Sequence, residues 1–192
     1  MAQKTRPQIR KFVEAADALR DGTTNYFSIT KLTSLKALCK NHQTTVAFVA
    51  YLAENTYQRI RVGTCPKYTD PADSIRYQEI ANKAIQIIHK YLEDPNSIDP
   101  LGLREICREA EAVQVYKSKE MWGHPIRTIY SVEVLVIEDA LRCIMEPVNA
   151  PYWAYQTARD YTERYNSRSG TGLIPESLPM LDDIIKFWLE CE

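Results

Sequence analysis

Apolar residues recur every three or four positions through most of this chain. Ile9, Phe12, Val13, Ala16 and Leu19 form one stripe, which predicts a helix from about Pro7 to Arg20. Asp21–Gly22 supplies its stop. A short helix is expected over "TSLKALCK", with Leu35, Leu38 and Cys39 inward and Asn41–His42 breaking it. From Thr44 to Ile60 the stripe is Val46, Val49, Ala50, Ala53, Tyr57 and Ile60. Phe48 and Leu52 widen it, so this helix is predicted to be the central rod, buried on most sides.

Two later helices announce themselves by their starts. In "TDPAD", Asp70 suits an N-cap and Pro71 a first turn, and Tyr77, Ile80, Ala81, Ala84, Ile87, Ile88 and Tyr91 follow at helical spacing. "SIDPLG" repeats the signal with Asp99 and Pro100, ahead of Leu103, Ile106, Cys107, Ala110 and Val113. Residues 126–145 read two ways. "IRTIYSVEVLVI" is β-branched enough for a strand, but twenty residues without Gly or Pro and without a partner strand favour a helix. An aromatic helix, "PYWAYQTARDYTERY", follows Asn149. A last helix begins at Ser177 or Leu178 with Leu181, Ile185 and Trp188 inward. The expectation is one all-α domain over residues 1–192, a helical bundle of about seven to eight helices joined by short loops.

Composition adds limits. The longest apolar run, Val46 to Ala53, is eight residues, too short for a bilayer. The first twenty residues have no apolar core of a secretory signal, and Glu14 and Asp17 do not suit a transit peptide. Cys39, Cys65, Cys107, Cys143 and Cys191 make an odd count with no CxxC, which suggests reduced thiols in a cytoplasm. Charge is unevenly spread. Residues 1–68 hold eleven Lys and Arg against four acids, and residues 69–192 hold thirteen against twenty-one. The basic third is expected to face the acidic remainder, within the fold or across an oligomer.

Little catalytic chemistry shows. The three histidines, His42, His89 and His124, belong to no HExxH or Glu-x-x-His motif. Cys39 and His42 form one Cys-x-x-His pair with no second pair to complete a zinc site. His89 with Glu93 reads as a surface pair one turn apart. No metal, no cofactor and no catalytic residue is assigned. Glu133 is the one acid set among apolar neighbours, where burial would raise its pKa. A helix-contact ion pair is the plainer reading. Lys31, Lys36, Lys40, Arg59 and Arg61 offer a basic surface for phosphates. The apolar start of the following helix does not suit base readout.

The stretch "NSRSGTGLIPES" raises a separate question. Arg164, Arg168, Ser169, Gly170, Thr171 and Gly172 would make an anion nest or a partner-binding loop. A structural connection, with Gly170 or Gly172 at positive φ and Leu173–Ile174 inward, is the competing expectation. "KLTSLKALCKN" with "VAFVAYLAEN", and "RYNSRSGTGLIPES" with "MLDDIIKFW", resemble segments of uncharacterised helical proteins from cyanobacteria. The resemblance implies a bacterial cytoplasm and transfers no functional residue.

Twelve Tyr and three Trp are many for 192 residues, and both are favoured interface anchors. The densest group is Tyr152, Trp153, Tyr155, Tyr161 and Tyr165, as apt for a core face as for an interface. The functional expectation is a helical protein-interaction module, a regulator, adaptor or accessory factor, acting on a protein partner or on a second copy. Two alternatives stand beside it. One is an enzyme whose site assembles in space. The other is non-specific nucleic-acid binding through the basic third.

Overall fold

The computed structural model describes residues 7–23, 27–61, 71–114, 120–121, 124–125, 129–163, 172–173 and 178–191. Seven α-helices are found there: α1 (Pro7–Arg20), α2 (His42–Arg61), α3 (Pro71–Glu93), α4 (Pro100–Gln114), α5 (Ile129–Met145), α6 (Ala150–Glu163) and α7 (Leu178–Glu190). Short 3-10 segments complete them at Ile29–Ala37, Pro95–Ser97 and Pro147–Asn149. The class is all-α. Two antiparallel pairings of two residues each are the extended backbone among the described residues, joining Phe27–Ser28 to Gly172–Leu173 and Glu120–Met121 to His124–Pro125.

One apolar cluster draws on all seven α-helices and the 3-10 segment Ile29–Ala37. At its centre is α2, against which α3, α5, α6 and α7 pack. Val46, Phe48, Val49, Ala50, Leu52 and Ala53 are all buried, so the helix is enclosed on most sides as its sequence requires. The helical hairpin α5–α6 is the most extensively packed pair. Ala150, Ala154 and Ala158, each one turn apart on α6, are buried. Their small side chains let the two backbones approach.

The ambiguity at residues 126–145 is resolved in favour of helix from Ile129 onward, while 126–128 lie outside the described residues. β-Branched side chains lower helix propensity by only a few tenths of a kcal/mol each, roughly, so the continuous burial of residues 136–141 outweighs them. Two boundaries differ from expectation. "TSLKALCK" is not an α-helix. It continues a 3-10 segment that starts at Ile29 and runs to Ala37. Leu32, Leu35 and Leu38 are buried at a spacing of three. That is the period of a 3-10 helix, which places every third side chain on one edge. Asn41 does not merely break this segment. Its Oδ1 accepts the Thr44 amide at 3.0 Å, which makes it the N-cap of α2. The helix therefore begins at His42, two residues before the start predicted at Thr44. In α7, Ile184 is buried and Ile185 only half-buried, a shift of one position in the inward face.

Other local signals were read correctly. Asp99 Oδ1 accepts the Leu101 amide at 3.0 Å and Oδ2 the Gly102 amide at 3.2 Å, capping α4. Asp70 lies outside the described residues. Gly22 ends α1 with φ of 70°. The Thr23 hydroxyl donates to the Ala18 carbonyl at 2.9 Å, satisfying one of the orphan acceptors of that helix end. A Cβ at Gly22 would meet no atom within 4 Å. The cost of Gly22→Ala is therefore conformational alone, about 1 kcal/mol. Chemical denaturation should show that loss with an unchanged dependence on denaturant.

The basic and acidic parts of the chain meet where Arg20 of α1 donates to Asp182 of α7 at 2.7 Å. Both side chains are about half exposed, so the pair contributes at most about 1 kcal/mol.

Candidate functional site

Of the loop residues singled out in the sequence, Arg164, Arg168, Ser169, Gly170 and Thr171 lie outside the described residues. Gly172 falls in the extended pair and faces Ser28, with Leu173 opposite Phe27. The backbone after the loop is thus tied to the segment that follows α1. That tie fits a structural connection. Glu133 lies on α5, and its side chain is outside the described set.

The aromatic helix divides between core and surface. Tyr161 is buried, and its hydroxyl donates to Asp183 of α7 at 2.5 Å. Trp153 and Tyr155 are half-buried, Tyr152 is 42% exposed, and Tyr165 is outside the described residues. Around the exposed members a surface assembles. The Lys36 ammonium lies 4.8 Å from the ring centroid of Tyr155 and 5.2 Å from that of Tyr152. The Arg142 guanidinium lies 4.9 Å from the ring centroid of Trp153. These are cation–π distances. Glu146 fixes the turn beneath them by accepting from Trp153 Nε1 at 2.9 Å and from Asn149 Nδ2 at 3.0 Å. Those two hydrogen bonds, Asn149 first, hold its carboxyl below the usual range. Val148, at 93% exposure, crowns the turn. Lys36 and Lys40 are exposed, whereas the side chains of Lys31, Arg59 and Arg61 are outside the described set.

The α5–α6 contact holds the groups the sequence did not reveal. Glu138, Asp139 and Asp160 are all buried. Glu138 pairs with Arg142 one turn on. Asp139 is hydrogen-bonded to Asp160 across the hairpin. Burial first, then the charge and hydrogen bond of Asp160 and the charge of Glu138, push the Asp139 carboxyl up to about 8, against the pull of Arg142. At neutral pH burial and the neighbouring Asp160 thus favour the protonated form of Asp139. The buried threonines are all satisfied locally. Thr45, Thr56, Thr157 and Thr162 donate to the carbonyls of Asn41, Leu52, Trp153 and Ala158, each four residues back.

His42 has a structural task. Its Nε2 bonds the Cys143 carbonyl at 2.9 Å, and its Nδ1 lies 3.1 Å from the Tyr91 hydroxyl. A carbonyl only accepts, so Nε2 carries the proton and Nδ1 accepts from Tyr91. The ring thus joins α2, α3 and the last turn of α5, where helix carbonyls lack internal partners. Cys39, Cys107 and Cys143 are buried. Burial raises the Cys39 thiol to about 12 and raises Cys143 as well, which makes them poor nucleophiles. His89 does not pair with Glu93. Its Nε2 meets Glu54 of α2 instead, because the helix contact brings that carboxylate within reach. Among the described residues no group of three or more His, Cys, Asp or Glu is placed to hold a metal. No helix among them is long and apolar enough to cross a membrane.

No protein-family model, curated protein or solved structure matches the chain.

Proposed function

We propose that this chain is a protein-interaction module whose partner docks on the face made by Lys36, Val148, Tyr152 and Tyr155. The observation that carries the reading is the pair of tyrosines held on one exposed lysine, with an exposed valine four residues before Tyr152. A Tyr offers large contact area with little rotamer freedom to lose. Stacking against Lys36 reduces that freedom before a partner arrives, so less entropy is lost on binding. The Glu146 hydrogen bonds to Asn149 and Trp153 brace the turn that presents Val148. This is the arrangement expected of a binding anchor, an apolar and aromatic centre with charge at its rim.

The chain acts as a regulator, adaptor or accessory factor, on another protein or on a second copy of itself. A bacterial cytoplasm suits it, since three cysteines are buried outside any disulfide. The test is retention of proteins from a native lysate by the tagged chain and by a Val148→Glu, Tyr152→Ala variant. Both positions are exposed, so circular dichroism and melting should stay nearly unchanged. A protein held by the wild type and lost by the variant supports the reading. Equal retention by both removes this face from it. If the retained material is nucleic acid, released as salt rises, the basic third is the functional surface instead.

A further inference from the structure

We infer that the buried carboxyls between α5 and α6 regulate the partner face through Arg142, which holds that face in its binding pose while Asp139 is protonated and releases it when Asp139 ionises. The regulation presupposes the face proposed above at Lys36, Tyr152 and Tyr155. One polar seam connects the two places. Asp139, Arg142 and Glu146 recur at spacings of three and four on α5 and the residue after it, so they share one side of the helix. Trp153, Thr157 and Asp160 do the same on α6. The hairpin sets the two rows against each other. Asp139 is hydrogen-bonded to Asp160 at one end, and Glu146 accepts from Trp153 Nε1 at 2.9 Å at the other. Arg142 stands between the ends, paired with Glu138 and with its guanidinium 4.9 Å from the Trp153 ring centroid.

Arg142 is the part that can move. Its side chain is 29% exposed, whereas that of Glu138 is 5% exposed. Asp139 precedes it by three residues on the same helix, within side-chain reach. Glu138 and Asp139 thus compete for one guanidinium. While Asp139 is neutral, Glu138 and the Trp153 ring hold it. Ionisation places a second negative charge beside it in a water-poor seam, where charges attract far more strongly than in water. The guanidinium is then drawn toward Asp139 and off the ring. Trp153 in turn meets Tyr152 edge-on, with centroids 5.0 Å apart and planes at 73°. The change at Asp139 therefore reaches the Lys36-bound tyrosine through Arg142 and Trp153, by contacts that are all present in the fold.

Among the described residues, the groups that act on Asp139 are Asp160 of α6 and Glu138 and Arg142 of its own helix. Cys143, one turn on, is itself raised by the Asp139 charge. Three other helices pack on α5. From α2 comes His42, at the Cys143 carbonyl, from α3 Tyr91, at His42, and from α4 the buried Cys107. Burial and the neighbouring acids bring the Asp139 carboxyl to about 8, so a change between neutral and mildly alkaline pH alters its charge. Glu146 is held below the usual carboxylate range by Asn149 and Trp153, so it stays ionised across that interval and the brace of the turn does not change.

The test follows the ring C–H resonances of Trp153 in the full chain by NMR from pH 6 to pH 10, assigned with Trp153→Phe. They should shift with a midpoint near 8, together with the side-chain carboxyl carbon of Asp139. Asp139→Asn should abolish the shift. Arg142→Gln should leave the Asp139 carbon titrating, at higher pH because a favouring charge is gone, and hold the Trp153 resonances fixed. Retention of proteins from a native lysate by the tagged chain should fall about two- to fivefold from pH 6 to pH 9, the share of one cation–π contact, and stay level in Asp139→Asn. A Trp153 ring that does not titrate overturns the inference. So does one that titrates equally in Asp139→Asn or Arg142→Gln, or a retention whose pH dependence is the same in wild type and Asp139→Asn. If the ring titrates as stated but the Val148→Glu, Tyr152→Ala variant retains the same proteins as wild type, the coupling is supported and the reading of the face is what fails.

Discussion

Asp139→Asn should make the protein more stable than wild type at pH 8, by more than about 1 kcal/mol. The reason is the buried carboxyl pair. In the unfolded chain Asp139 titrates near its ordinary value of 3.8, and in the fold it titrates near 8. Between those values the folded chain holds a proton that the unfolded chain has released. Stability from this group is complete below about pH 4 and is lost as pH rises toward about 8, at up to about 1.4 kcal/mol per pH unit. Asn cannot ionise, yet its NH2 can still donate to Asp160 as the protonated acid does. The groups that set the field are Asp160 of α6 and Glu138 and Arg142 of α5. The variant keeps all three. Other carboxyls act in the opposite sense. Glu146, with its lowered pKa, contributes stability that is lost as pH falls. The informative quantity is thus the difference between variant and wild type, measured by urea unfolding from pH 5 to pH 8. It should grow steadily in favour of the variant. A variant weaker at every pH would mean that Asp139 is ionised and held by Arg142.

Phe48→Ala is expected to have the largest effect of any single substitution considered, a loss of about 3–5 kcal/mol. Phe48 is fully buried on the central helix α2. Its ring centroid lies 5.2 Å from that of Phe187 and 5.1 Å from that of Trp188, both on α7. Truncation removes the transfer energy of a benzyl group and opens a void that two rigid rings cannot fill. Aromatic pairs at such distances add roughly 0.5–1.5 kcal/mol each beyond area burial. The loss is a large share of the total stability of an ordinary domain, about 5–15 kcal/mol. Val148→Ala, at a position 93% exposed, should change stability by less than about 0.5 kcal/mol in the same assay.

Much of the fold was legible because burial has a period. Ile9, Phe12, Ala16 and Leu19 are the buried face of α1, as their spacing required. Phe48 and Leu52 marked α2 as a helix enclosed on several sides, and they are fully buried. Asp99 announced its cap by position alone, ahead of Pro100. Leu32, Leu35 and Leu38 carried a period of three, which a search at the α-helical period does not separate from an ordinary stripe.

The carboxyl pair was less legible, and the reason is physical. Residues 136–141 of α5 are all buried, so this stretch has no solvent face from which an acid could be seen to depart. Asp139 and Asp160 are separated by 21 positions and become partners only when the hairpin closes. The available signal was two adjacent acids, Glu138 and Asp139, inside the most apolar helix. Glu133, singled out for its apolar neighbours, drew attention to the right helix but to a different turn. The Lys36 surface was hidden for a similar reason. Lys36 and the two tyrosines are more than a hundred residues apart in sequence, and only the packing of the 3-10 segment Ile29–Ala37 on α6 brings them together.

The central claim is that the Lys36–Tyr152–Tyr155 face binds a protein. The most direct measurement is calorimetric affinity for the retained partner, or for self-association if the partner is a second copy. It compares wild type, Tyr152→Ala, Tyr155→Ala and Leu101→Asp. Leu101 is 72% exposed on α4 and serves as an apolar surface position outside the proposed face. Each Tyr truncation should weaken binding about tenfold or more, the behaviour of an interface anchor, and Leu101→Asp should leave the affinity unchanged. Tight binding that survives both Tyr truncations, or is lost with Leu101→Asp, would contradict the claim.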